Sequence, residues 1–394
     1  MDNLAHSLVG LAVSKAGLEK LSPGATSVCI LAANAPDLDF ISALSADRWT
    51  VLHYHRGITH SIVGTLVLAL VIPALFFLGD RAIARTRGQP GRLSFIGLLL
   101  ASLVASATHP LLDWTNNYGI RLLLPWSGKW FYGDLVFVVD PFLWLIFGAA
   151  AFLLTSKSKR QVALWMLLGA ALTVLVVYGA INARVLDHPG LVLSLWIVVL
   201  MALVISSRIG LGPRYGRKIA QAAFVISFAY WGALGLLHSR ALARAGTEAA
   251  ALAAKNGERV IRLAAMPTLG NPSHWRCIAE TDQALYRFEV FLDVSDPGSN
   301  LAASNVAPYD LVRYAKPTEA ATGVITSAMP DRRTQIFFEF ARFPVERVVG
   351  VDCATQTLVQ FADLRYTEPG KARGAFSLEL PVDCPGLTTP TDGR

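Results

Sequence analysis

The sequence predicts an α-helical polytopic membrane domain followed by a smaller β-rich extracytoplasmic domain, on the strength of three observations. Hydrophobic residues make up 53% of the 394 positions and charged residues only 16%, whereas soluble globular chains are about one quarter charged. Six apolar runs approach the roughly 20 helical residues that cross about 30 Å of hydrocarbon. Beyond about residue 238 the composition returns to that of a soluble domain, with charges every few positions. Intrinsic disorder is excluded, because so apolar a chain has ample surface to bury against the entropy cost of ordering.

Two weaker apolar segments come first, 4–18 and 24–36, separated by Glu19, Lys20, Ser22, Pro23 and Gly24. They read as a short helical hairpin, re-entrant or spanning. The start does not read as a cleavable signal, because no basic region precedes the apolar stretch and His6 interrupts it. The six stronger runs are 61–79, 93–108, 135–154, 161–181, 191–206 and 219–237. Loops 80–92, 155–160 and 207–218 hold eleven Lys or Arg in 31 residues, against five in 56 for the alternate segments 40–60, 109–134 and 182–190. Lys and Arg are retained in the cytoplasm, so those three loops are expected inside and everything after 237 outside. The net charge of +7 is thus a loop signal of membrane topology, and no nucleic-acid partner is expected.

Residues 1–238 therefore form the expected membrane domain, 239–256 a helical linker and 257–394 the extracytoplasmic domain. Its candidate strands are 258–265, 284–292, 334–341, 345–351, 357–363 and 375–380, bounded by Gly, Pro and Asp turns. The cysteines lack paired CxxC spacing, which argues against a structural zinc site of thiolates. Cys353 and Cys384 are a candidate disulfide, with Cys277 a competing partner.

The chemistry is concentrated near the N-terminus. Five of the eight His residues lie between 6 and 109, in clusters also rich in Asp, Asn or Arg. These are DNLAHS (His6), NAPDLD (Asp37, Asp39), HYHRGITHS (His53, His55, His60) and HPLLDWTNNYG (His109, Asp113). The predicted topology brings all four to the outer face. His109 and Asp113 are four apart, so with Pro110 at a first helical position they project from one side of a first turn. Pro36 ends the preceding helix and leaves Asp37 and Asp39 on irregular backbone, free to turn toward one point. Imidazole and carboxylate ligands without thiolate favour zinc, with manganese or iron as alternatives. An HxxxD pair alone is also a common helix-surface contact; the convergence of four clusters at membrane depth, where ionisable groups are costly, is what points to a site.

His6, PDLD at 36–39, HRGITHS at 55–61, HPLLDWTNNYG at 109–119 and FYGDLVFVVDP at 131–141 together resemble the bacterial membrane-bound metal-dependent hydrolases, sometimes described as inner-membrane LexA-binding hydrolases. GNPSHWRCI at 270–278, ARFPVERV at 341–348 and ADLRY at 362–366 resemble the tail of longer members. The resemblance implies a multi-pass inner-membrane hydrolase. A more distant likeness, in the order His, Asp, His, HxxxD, is to the zinc-dependent phospholipase C and single-strand nuclease group. It implies that His6, Asp37 or Asp39, His60, His109 and Asp113 hold zinc, with Asp113 bridging. This sequence has no downstream ExxxH or HxxxE pair, so one or two ions are expected and not three.

The expected roles follow. Asp37 or Asp39 acts as general base, His55 is a further candidate in the catalytic cluster, and Arg56 clamps a phosphate through its planar guanidinium. Asp140 either accepts a hydrogen bond from a metal-bound His or satisfies the helix end freed by Pro141. The substrate is a phosphoester or phospholipid headgroup, with membrane lipids as partners. Two other classes share these residues: a transporter or channel that binds a passing cation, and a non-catalytic protein whose tail binds an envelope partner.

Overall fold

An apolar helical hairpin begins the chain in the computed structural model, which describes residues 1–44, 46–182, 189–292, 311–350 and 356–383. Helices α1 (Asn3–Lys15) and α2 (Ala25–Asn34) run antiparallel, since Ser14 bonds Thr26 at one end and Ser7 bonds Asn34 at the other. Gly10 permits their close approach, because a Cβ there would stand 2.8 Å from the Cys29 carbonyl oxygen. After α3 (Arg48–Tyr54) come α4 (Ile62–Thr86) and α5 (Phe95–Trp114). Helix α5 is the centre of the core: its Leu98, Ala101 and Ala105 pack with Val28, Cys29 and Ala32 of α2 and Val9 and Ala12 of α1. Helices α6 (Pro141–Thr155), α7 (Lys159–Asn182), α8 (Pro189–Arg208), α9 (Leu211–Tyr215) and α10 (Arg217–Lys255) complete the helical half.

Four helices among the described residues are long and apolar enough to cross a membrane: Ile62–Thr86, Phe95–Trp114, Lys159–Tyr178 and Arg217–Lys255. Two boundaries differ from those predicted. The run 135–154 becomes helical only at Pro141, because the Asp140 carboxylate accepts the Phe142 and Leu143 N–H groups and caps the helix there. Its 15 residues rise about 22 Å, short of the hydrocarbon thickness. Pro110 does not start a new helix either. It lies inside α5, which continues through it to Trp114, as membrane helices allow where neighbours satisfy the freed backbone groups.

The chain divides into two units, one of Met1–Asp39, Arg56–His238 and Met266–Pro272, the other of Phe40–His55, Ser239–Ala265 and Ser273–Arg394. The 39 residues of α10 rise about 58 Å, roughly twice the hydrocarbon thickness, and its second half counts with the second unit. That unit is rich in β-sheet. Strands β1 (Val260–Thr268), β2 (Asn271–Thr281), β3 (Ala284–Phe291) and β4 (Val312–Ala315) form one sheet in sequence order. Strands β5 (Pro344–Val349), β6 (Gln356–Asp363) and β7 (Ser377–Asp383) form a second, antiparallel one. Two helices, α11 (Glu319–Ala328) and α12 (Arg332–Phe340), lie between β4 and β5 in sequence.

The run 334–341, predicted as a strand, is thus helical. Asp331 caps α12 by accepting the Arg333 N–H at 2.7 Å, and Thr334, Ile336, Phe337 and Phe340 turn one helical face inward. Its aromatic β-propensity is overridden by that packing, in which Phe337 and Phe338 meet Phe361 of β6. Strands β2 and β4 and helix α11 were not foreseen in the sequence. Cys353 and Cys384 lie outside the described residues, and Cys277 is a buried free thiol in β2.

Candidate metal centre

Four stretches of the first unit deliver polar side chains to one buried point. Helix α1 begins at Asp2, whose carboxylate accepts the Ala5 N–H at 3.0 Å and the Trp144 indole N–H at 3.0 Å, and it presents His6 on its first turn. Asp37 and Asp39 lie on a ten-residue 3₁₀ segment, Ala35–Leu44, which is more regular than the predicted irregular backbone. A short 3₁₀ turn, Ile58–His60, presents His60, after which Ser61 caps α4 by accepting the Gly64 N–H at 3.1 Å. The turn folds so tightly onto α4 that a Cβ at Gly64 would overlap the Ile58 carbonyl, at 1.8 Å. Near its end α5 offers His109 and Asp113 from one face.

The donor atoms converge. His60 Nε2 lies 3.1 Å from His109 Nε2, 3.2 Å from Asp37 Oδ1 and 3.3 Å from Asp113 Oδ2. His109 Nε2 lies 3.6 Å from Asp37 Oδ1 and 3.5 Å from Asp113 Oδ2. The four ligand atoms all fall within 4.8 Å of one another. Four donors arranged tetrahedrally at about 2.0–2.1 Å from an ion stand about 3.3–3.4 Å apart, so the spacing fits a single ion with little movement.

The tautomers point the same way. His109 Nδ1 sits 2.7 Å from the Ala33 carbonyl oxygen, which only accepts, so Nδ1 carries the proton and Nε2 keeps its lone pair. His60 Nδ1 lies 3.3 Å from Asp39 Oδ2 and is held likewise. Two imidazole lone pairs and two carboxylates then face one another, and such a set needs a positive charge among them. Burial alone would lower the affinity of His60 for a proton, yet Asp113, Asp37 and Asp39 push its pKa up to about 10. Asp37 shifts down despite its burial, through hydrogen bonds with His109 and His60. A field that favours positive charge on His60 also favours a cation between these ligands.

Neighbouring residues complete the setting. His6 stacks on His109 with ring centroids 3.7 Å apart, and its Nε2 lies 3.5 Å from Asp113 Oδ1. Neither ring nitrogen of this fully buried His has a hydrogen bond, and Asp37 Oδ2 and Asp113 Oδ2 have none either. Buried polar atoms are nearly always paired, and a bound ion would give this group of orphans the partner they lack. The Met1 α-amino group also donates to Asp113 Oδ1. Arg56 adopts a left-handed φ of 55°, held by its N–H on Asp39 Oδ2 at 3.0 Å. Its guanidinium donates to Asp113 Oδ1 at 3.2 Å and to Asn116 Oδ1 and the Gly119 carbonyl at 3.0 Å each, and lies 4.5 Å over the Tyr118 ring.

The structure therefore gathers Asp37, His60, His109 and Asp113, with His6 and Arg56 against Asp113 and Asp39 behind His60. His55 caps α3, groups with the second unit and lies edge-on to Phe40. Asp140 takes the second of its two expected roles, capping α6 and accepting the Tyr230 hydroxyl at 2.9 Å. Asn116 and Asp2 had no part in the sequence reading. The Asn pair directly after HPLLDWT and an Asp preceding an apolar helix were the signals for them.

The family described as YdjM inner membrane protein matches residues 1–186. The inner membrane protein YbcI of Escherichia coli is 31% identical over 144 residues, which cover 35% of this chain and 76% of YbcI. The uncharacterized protein YfhP of Bacillus subtilis is 30% identical over 155 residues, 37% of this chain and 43% of its own length, so the chain spans less than half of that relative. No solved structure matches.

Proposed function

The chain belongs to the YdjM inner membrane protein family, and from that premise we propose that it is a membrane-embedded metal-dependent hydrolase of phosphoesters presented by the bilayer. The observation that supports this reading most is the set of four acceptor atoms, from Asp37, His60, His109 and Asp113, facing one another at metal-ligand spacing. Zinc suits the mixed imidazole and carboxylate donors, with manganese or iron as alternatives. When bound, the ion supplies Lewis acidity, polarising a phosphoryl oxygen and making water acidic near neutral pH.

The protein's own groups divide the remaining work. Asp37 holds with Oδ1, while its unpartnered Oδ2 is placed to take a proton as general base. Asp39 is engaged by Arg56 N–H, by the Thr59 hydroxyl at 3.1 Å and by His60, so it orients His60 and is not the base. Arg56 is committed to Asp113, Asn116 and Gly119 and so steadies the Asp113 carboxylate; the expected phosphate clamp would require breaking those bonds. The basic loops favour an orientation with the centre facing the outer side of the inner membrane.

The test is metal analysis of purified protein, with hydrolysis of phospholipids and generic phosphodiesters measured with zinc and with manganese. The expected result is about one ion per chain and turnover that chelation removes. An ion that stays bound while no phosphoester is cleaved would overturn the hydrolase reading in favour of cation binding alone.

A further inference from the structure

Helices α6, α7 and α8 enclose a cavity of about 520 Å³ that contains none of the residues of the metal centre. Its wall is apolar and includes Leu8 of α1, Trp144 and Phe152 of α6, Trp165 of α7, and Trp196 and Met201 of α8. Glycine in a membrane helix usually serves close packing, but the two on this wall do not. A Cβ at Gly169 would meet nothing within 4 Å, and one at Gly148 would meet only Leu8 Cδ1, at 3.8 Å. Both leave volume open.

The contents follow by elimination. Water is a poor occupant, because an ordered water needs about two to four polar partners, and the Thr173 hydroxyl on this wall already accepts the Trp196 indole N–H at 2.8 Å. An empty void is a poor one too, since its cost rises with its volume. Met201, Ile197 and Ile205 on the wall are exposed, so the cavity opens toward the surroundings of the bundle. In a bilayer those surroundings are hydrocarbon chains.

The cavity and the metal centre share helix α1. Leu8 lies two residues beyond His6 on α1, and Trp144 donates its indole N–H to both oxygens of Asp2, the residue that caps α1, at 3.0 and 3.1 Å. We propose that the cavity is an acyl-chain subsite, which holds the chain of a membrane phospholipid while its phosphorylated head reaches the His and Asp cluster. The bound lipid's status as substrate rests on the hydrolase reading; its binding does not.

The experiment compares the purified full chain with its Gly148→Leu and Gly169→Leu variants. Retention of palmitoyl-oleoyl phosphatidylglycerol is counted by native mass spectrometry, and cleavage of that lipid is compared with cleavage of dihexanoyl phosphatidylglycerol. Both variants should bind metal as the parent does, retain about tenfold less long-chain lipid and cleave it about tenfold less well. Cleavage of the short-chain lipid should be unchanged. Equal long-chain retention in all three proteins would overturn the subsite. A parent that retains long-chain lipid in a manner both variants lose, yet cleaves neither substrate, would uphold the subsite and overturn the hydrolase reading.

Discussion

The buried ionic clusters of the two units share ingredients and end differently. In the second unit Asp363 and Arg365, both fully buried, pair at 2.7 Å, and Asp363 also accepts the Arg342 and Arg365 backbone N–H groups. Glu258 is closed in the same way by Thr281, Tyr286 and Arg313. None of those carboxylate oxygens lacks a partner. In the first unit, His6, Asp37 and Asp113 keep buried atoms without a hydrogen bond although Arg56 stands beside them. A closed cluster holds a fold together, whereas one with acceptors to spare has the donor set that a cation would need.

The sharpest way to break that contrast is Asp113→Asn. It should remove the bound ion and lower turnover by about a hundredfold or more, because it deletes a ligand charge and not merely a supporting contact. Elemental analysis and phosphodiester assays check it, and an unchanged metal content would place Asp113 in the closed class. Asp363→Asn is the mirror experiment. It strands a buried guanidinium and should destabilise the second unit by about 3–5 kcal/mol, seen as lost amide-exchange protection in β6, with metal content untouched.

Smaller effects sharpen the contrast further. Asp39→Asn should weaken metal affinity by about 10–100-fold while leaving the ion's stoichiometry at saturation intact, since Asp39 only orients His60. A metal titration distinguishes that from loss of a ligand. The mildest test is acid. Burial opposes ionisation of Glu368, but hydrogen bonds from Arg287, Lys371 and Tyr314 hold its pKa down to about 2. A folded pKa below the ordinary 4.5 means that its stabilisation is full above that value and disappears as pH falls toward 2. Unfolding of the second unit followed between pH 5 and 2 should therefore show a loss that Glu368→Gln abolishes.

Much of the site was legible along the chain, and the reasons are local. His109 and Asp113 are four apart, so any helix through them aligns both; the error at Pro110 moved the helix start without moving that face. Asp37 was visible as an acid after an apolar helix. Arg56 was visible too, but its partners were not, because Asn116 and Gly119 lie 60 and 63 residues away. Asp140 was ambiguous for a similar reason: only the backbone of α6 and the Tyr230 hydroxyl decide between a cap and a partner of His.

Composition and periodicity by themselves marked out an apolar helical half, a β-rich tail and a cluster of imidazole and carboxylate side chains, since each depends on residue type within a window of a few turns. Only the tertiary structure decided which residues meet. The Ala33 carbonyl sets the proton on His109, Asp39 sets that on His60, and His6 stacks on His109 from more than one hundred positions away. Proton placement and convergence are properties of the space between helices, where packing between segments distant in sequence brings the ligand atoms together.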